Sequence, residues 1–151
     1  MSATVARGPA SRLRLPAGLA RRVRRHALSA YPEECCGILI GRPHDAGARV
    51  TRVVPAANVW GGERDRRYSI DPRQLLATHV EARAEGLEVV GYYHSHPDAP
   101  AVPSRLDLER AWPATSYLLA SVRRRGEVEL RSWRLDGSGS RFVEEGVEAV
   151  G

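Results

Sequence analysis

Apolar residues near the start of the chain recur with helical spacing. Leu19, Val23, Ala27 and Ala30 share one face, and the arginines between them fall on the other. Pro16 suits the first position of such a helix and Pro32 lies just past its end, so the pattern predicts a helix from Pro16 that stops before Pro32. The run Cys35-Cys36-Gly37-Ile38-Leu39-Ile40-Gly41 then reads as a short buried strand. Turn chemistry over 42–48 and a returning strand over 49–57 make the pair a hairpin. A polar loop from Asn58 to Arg66 leads to a short strand at Arg67–Ile70. Asp71 is placed to cap a second helix that opens at Pro72, carries Leu75, Leu76, Val80 and Ala84 as its apolar stripe, and stops at Gly86.

Leu87 to Tyr93 is almost continuously apolar or aromatic, the pattern of a central strand covered on both faces, and it runs directly into His94. Pro97, Pro100 and Pro103 exclude helix and sheet over 97–103, leaving a stiff, extended loop. A short helix from Ser104 to about Ala111 follows. Strands at Ser116–Val122 and Val128–Leu135 flank a turn at Arg124-Arg125-Gly126, and a weak last strand falls within Ser140–Val147. The order of elements predicts an α/β fold, a mixed β-sheet sandwiched by helices. At 151 residues the chain has enough apolar material for one core, so a single domain over 1–151 is expected, with its core at about 12–135 and looser ends.

Composition narrows the classes. No apolar run approaches the roughly 18 residues of a membrane span. Cys35 and Cys36 are adjacent, so no disulfide framework exists, and with no apolar leader after Met1 a reducing, cytoplasmic setting is expected. All 23 basic residues are arginine, against 18 acids. Seven of them (Arg7, Arg12, Arg14, Arg21, Arg22, Arg24, Arg25) precede the first acid, so the rest of the chain has 16 arginines to 18 acids, or −2. That distribution argues for a solvated basic helix face and against a nucleic-acid surface.

The candidate chemistry lies after the central strand. On a strand, His94 and His96 point to one face and Ser95 to the other, so two imidazoles can meet one metal ion. Ser104 and Asp107 have the spacing of a capping box, which would start the short helix. First-turn side chains tilt toward the helix N-terminus, so Asp107 would also aim back along the proline loop at the histidines. Two histidines and one carboxylate form a three-ligand zinc set with the fourth position left for water, the composition of a catalytic site. Two other zinc readings fail. His94-Ser95-His96-Pro97-Asp98 opens like the metallo-β-lactamase motif, but Ala99 stands where that motif needs histidine. A nucleobase deaminase would need H-x-E and P-C-x-x-C, whereas the two cysteines here are contiguous and precede His94 and His96. His26, His44 and His79 are read as ordinary residues, and Cys36 as core.

The full pattern resembles the JAMM (MPN-plus) family of zinc peptidases and isopeptidases, whose signature is an upstream glutamate followed by H-x-H, seven residues and S-x-x-D. His94, His96, Ser104 and Asp107 match at every spacing, and Pro32-Glu33-Glu34-Cys35-Cys36-Gly37 is similar to the family's upstream segment. Tyr68-Ser69-Ile70-Asp71-Pro72 and Trp112 through Ser121 extend the likeness across most of 17–135. The resemblance implies a JAMM/MPN-like, cytidine-deaminase-like fold. It further implies Zn2+ held by His94, His96 and Asp107, Glu34 as general base, and Ser104 as hydrogen-bond donor to the oxyanion. Glu33 is the competing base, and only the family's spacing favours its neighbour. The small size is similar to stand-alone bacterial members that process ubiquitin-like sulfur carriers. This implies cleavage after a carrier's C-terminal Gly-Gly, for example releasing cysteine. A general small-peptide or peptidoglycan-fragment peptidase, or a non-catalytic interaction module, are the alternatives.

Overall fold

A computed structural model describes residues 11–150. Ten elements follow in order: β1 (Arg12–Pro16), α1 (Ala17–Ala30), β2 (Cys36–His44), β3 (Gly47–Ala56), α2 (Pro72–Ala84), β4 (Glu88–Pro97), α3 (Arg105–Arg110), β5 (Ser116–Val122), β6 (Val128–Leu135) and β7 (Phe142–Val150). Among the described residues, no helix is long and apolar enough to cross a membrane. The expectation of loose ends applies partly to residues 1–10 and 151, which lie outside those described.

The mixed α/β composition matches expectation, and the architecture differs from it. The sheet is a closed barrel in the order β1-β3-β2-β4-β5-β6-β7, where an open sheet between helices was expected. β1 closes it by pairing in parallel with both β3 and β7. Each neighbouring strand is rotated by about 20–25°, so seven strands accumulate enough twist and coil for the last to reach the first. Glu145 of β7 fastens the seam. This buried carboxylate accepts hydrogen bonds from Ser11, Ser132 and Arg134 Nε, the last two at 2.7 and 2.9 Å.

Both faces of the sheet are nevertheless covered. Leu39, Val53, Tyr93, Leu118 and Ala120 pack with Ala20, Val23 and Ala27 of α1, while Ile38, Ile40 and Tyr92 face Ala82 and Leu75 of α2. The arginines at 21, 22, 24 and 25 are exposed, as the helical spacing predicts. Three local expectations need correction. Pro16, expected as the first helical residue, is instead the last residue of a strand, β1, and the N-cap of α1. Arg67–Ile70 is no strand, because it lies in a loop held by single bonds, such as Ser69 N to Asn58 Oδ1, and has no ladder partner. Most of the stripe on α2 is turned outward: Leu76 and Val80 are 67% and 61% exposed, whereas Leu75 packs inward beside the buried Thr78 and Ala82.

Candidate active site

β4 lies between β2, antiparallel, and β5, parallel, and it carries its pairing through to Pro97. The register sets Cys36 opposite His94. Two residues further along an antiparallel pair, Glu34 therefore comes beside His96 on the same face. Gly37 makes this register possible, since a Cβ there would run into the Tyr93 ring. The Glu34 backbone is tied on both sides, its N–H donating to Arg64 O at 2.7 Å and its carbonyl accepting from Asn58 Nδ2 at 3.1 Å.

The loop between β4 and α3 is as stiff as three prolines suggest, and its carbonyls are individually held. Ala99 O accepts from Ser121 Oγ at 2.6 Å, and Ala101 O accepts from Trp133 Nε1 at 3.0 Å. Pro100 O lies 2.9 Å from His96 Nδ1. A hydrogen bond from Nδ1 to that carbonyl leaves His96 Nε2 as a lone pair aimed into the site. The loop then delivers α3, and the capping box forms in full: Ser104 N donates to Asp107 Oδ2 at 2.8 Å and Asp107 N donates to Ser104 Oγ at 3.1 Å.

Glu34, His96, Ser104 and Asp107 line one cleft of about 570 Å³, and His94 is buried directly against His96 and Asp107. His94 Nε2 and His96 Nε2 are 3.1 Å apart, and the Asp107 oxygens lie 3.4 Å from the first and 3.6 Å from the second. Glu34, His94 and His96 also place ligand atoms within 4.8 Å of one another. Zinc bonds of about 2.0–2.1 Å in a tetrahedron put neighbouring donors roughly 3.3–3.4 Å apart. The histidine and Asp107 atoms fit that edge. The buried atoms Glu34 Oε2 and His94 Nδ1 have no hydrogen-bond partner.

Electrostatics separates the groups. Burial pushes the Glu34 carboxyl up to about 7; His96 opposes this, and Asp107 and Asp65 add to it. Burial likewise keeps His94 below the ordinary histidine range, against the pull of Asp107. His96 ends above that range, because Asp107 and the Pro100 carbonyl outweigh its desolvation. Desolvation also works to raise Asp107, and the two imidazoles overcome it, holding the carboxyl well below the usual range. Glu33 is exposed whereas Glu34 is 5% exposed, so the two neighbours are physically distinct here although the sequence alone left them equal.

Residues read as bystanders lie elsewhere. His26 Nδ1 meets the Tyr93 hydroxyl at 2.7 Å behind the sheet, His44 ends β2 beside Arg14, and His79 is exposed on α2. Both cysteines are buried in the core. The sequence reading gave no role to Tyr68, whose ring stacks on His94 with centroids 4.5 Å apart. Nor did it single out Trp60, which lies under Arg67 and Arg110. Both aromatics sit on a polar, irregular loop whose path no periodicity reports.

The model of the prokaryotic homologues of the JAB domain matches residues 16–136. A desampylase of Haloferax volcanii is 38% identical over 107 residues, 70% of this chain and 73% of that protein. The CysO-cysteine peptidase of Mycobacterium tuberculosis is 36% identical over 129 residues, 83% of this chain and 82% of the other. In three dimensions the chain is similar to protein DSY2949 from Desulfitobacterium hafniense, with a TM-score of 0.78 and 31% identity, covering 91% of this chain and 92% of that one.

Proposed function

Because the chain belongs to the prokaryotic homologues of the JAB domain, we propose that it is a zinc-dependent JAMM-type peptidase that hydrolyses the amide after the C-terminal Gly-Gly of a ubiquitin-like sulfur carrier. A residue such as cysteine would be the product released. The observation that carries the reading is the convergence of Glu34, His94, His96 and Asp107 at one side of a single cleft, with His94, His96 and Asp107 spaced as one zinc needs. The name of the mycobacterial relative supports the choice of substrate.

His94, His96 and Asp107 would hold the metal. Zinc so held supplies a water acidified to a pKa of about 7 and polarises the scissile carbonyl. Glu34, buried at the cleft with its Oε2 unpartnered, takes a proton from that water as attack begins and passes it to the departing amine. Ser104 Oγ already accepts the Asp107 N–H, so its own proton is free to be donated to the oxyanion of the tetrahedral intermediate. Tyr68 covers one face of His94 and keeps water from that side. The proline loop forms a fixed wall along which a glycine tail, with no Cβ, can lie.

Mass spectrometry of candidate carriers bearing one residue beyond Gly-Gly tests this directly. Incubation with zinc-loaded protein should remove that residue, and Glu34→Gln should leave the carrier intact. Unchanged carriers together with brisk hydrolysis of unrelated short peptides would establish the general-peptidase alternative instead.

A further inference from the structure

Two arginines at the mouth of the cleft take no part in the chemistry above. Arg67 directly precedes Tyr68, the residue stacked on His94, and Arg110 lies one helical turn beyond Asp107 on α3. Both line the cleft, and both guanidinium carbons lie over the Trp60 ring, 5.5 and 5.7 Å from its centroid. Nearby Arg66 and Arg105 pair with Glu63 and Glu109, whereas neither Arg67 nor Arg110 has an acidic partner among the described residues. Each gains from the π system of Trp60, and both charges, free of an acidic partner among the described residues, stand in the lining of the cleft where an anion can meet them.

The position of that anion in a substrate is constrained. In a carrier ending in one extra residue, peptide bond lengths put the terminal carboxylate carbon within about 4 Å of the scissile carbon. There Asp107 would already offset part of the metal's charge, and Glu34 and Asp65 of the cleft lining would disfavour an anion that no guanidinium met. A carrier joined to a lysine side chain puts an aliphatic stem in that place and no charge. Planar guanidinium forks suit a carboxylate better than any other cation of the chain could. Resting on the carrier reading above, we infer that Arg67 and Arg110 bind the free α-carboxylate of the leaving residue. The substrate class is then carriers extended by a single amino acid, in preference to carriers conjugated to a protein lysine.

Titration calorimetry with zinc-loaded Glu34→Gln protein tests this, using a carrier ending in Gly-Gly-Ala as its free acid and as its C-terminal carboxamide. The acid should bind roughly tenfold or more tightly than the amide, the worth of one charge-assisted contact. Adding Arg67→Gln and Arg110→Gln should erase that difference while leaving amide binding unchanged. Equal affinity for acid and amide would overturn the inference and leave the carrier reading standing. Equal weakening of both forms by the arginine substitutions would also overturn it, since the arginines would then be reading the carrier's folded body. Failure to bind either form would overturn the carrier reading, and this inference with it.

Discussion

Glu34→Gln in the metal-free protein separates the electrostatics of the site from its catalysis. The carboxyl is 5% exposed, and burial carries it from 4.5 to about 7. With the folded value raised, the native state keeps a proton that the unfolded chain releases between those two values. Stability from this group is therefore fully present below about pH 4.5 and is lost as the pH rises through 7. At ~1.4 kcal/mol per pH unit the loss is about 3 kcal/mol. For a domain of this size, that is roughly 6–12 °C in melting temperature. Glutamine has nearly the same shape and no such proton. Melting both proteins by circular dichroism in chelator at pH 4.5 and pH 8 should show the variant gaining on the parent by about that amount at the higher pH. His94 and His96 titrate in both proteins and largely cancel in the difference. Saturating zinc should shrink the gap, because a nearby cation favours the carboxylate. A difference that does not change with pH would refute the claim that Glu34 is held in a desolvated, unpaired state.

Two further outcomes follow from the same geometry. Purified protein should hold about one zinc per chain by elemental analysis. The His94→Ala, His96→Ala double variant should hold essentially none, and full retention would dismiss the ligand assignment. Gly37→Ala should cost about 1–3 kcal/mol in urea unfolding, because the added methyl meets the Tyr93 ring in a packed core. An unchanged midpoint would show that the ring has room to yield.

The parts of the fold legible in the sequence are those fixed by short-range chemistry. Asp71 caps α2 by accepting from Arg73 N, and Ser104 with Asp107 forms the capping box. β5 and β6 match their expected bounds. The misreadings arose where long-range packing decides. Leu13 and Leu15 alternate in β1, but a five-residue strand is recognisable only through its partners, β3 and β7. On α2 the apolar count favoured Leu76 and Val80. Packing against the sheet instead selected Ala82 with Leu75, and Thr78 is buried beside them with its hydroxyl bonded back to Gln74 O at 2.8 Å.

This division explains why the site was easier to read than the architecture around it. His94, His96, Ser104 and Asp107 lie within fourteen consecutive residues. A strand period, a loop stiffened by proline and a helix cap bring them together without reference to the rest of the chain. Glu34 alone must arrive from a distance, and a single register brings it. The Cys36 to His94 pairing is held on one side by the β2–β3 hairpin and on the other by Ser95. The Ser95 side chain accepts the Cys35 N–H at 2.7 Å, and its own N–H donates to Cys35 O at 3.1 Å. A one-residue slip would turn Glu34 to the opposite face and break both Ser95 bonds inside the core, where each unpaired group costs about 1–3 kcal/mol. The residue between the two histidines thus has a specific task in the site. It faces away from the cleft and locks the register that brings Glu34 into it.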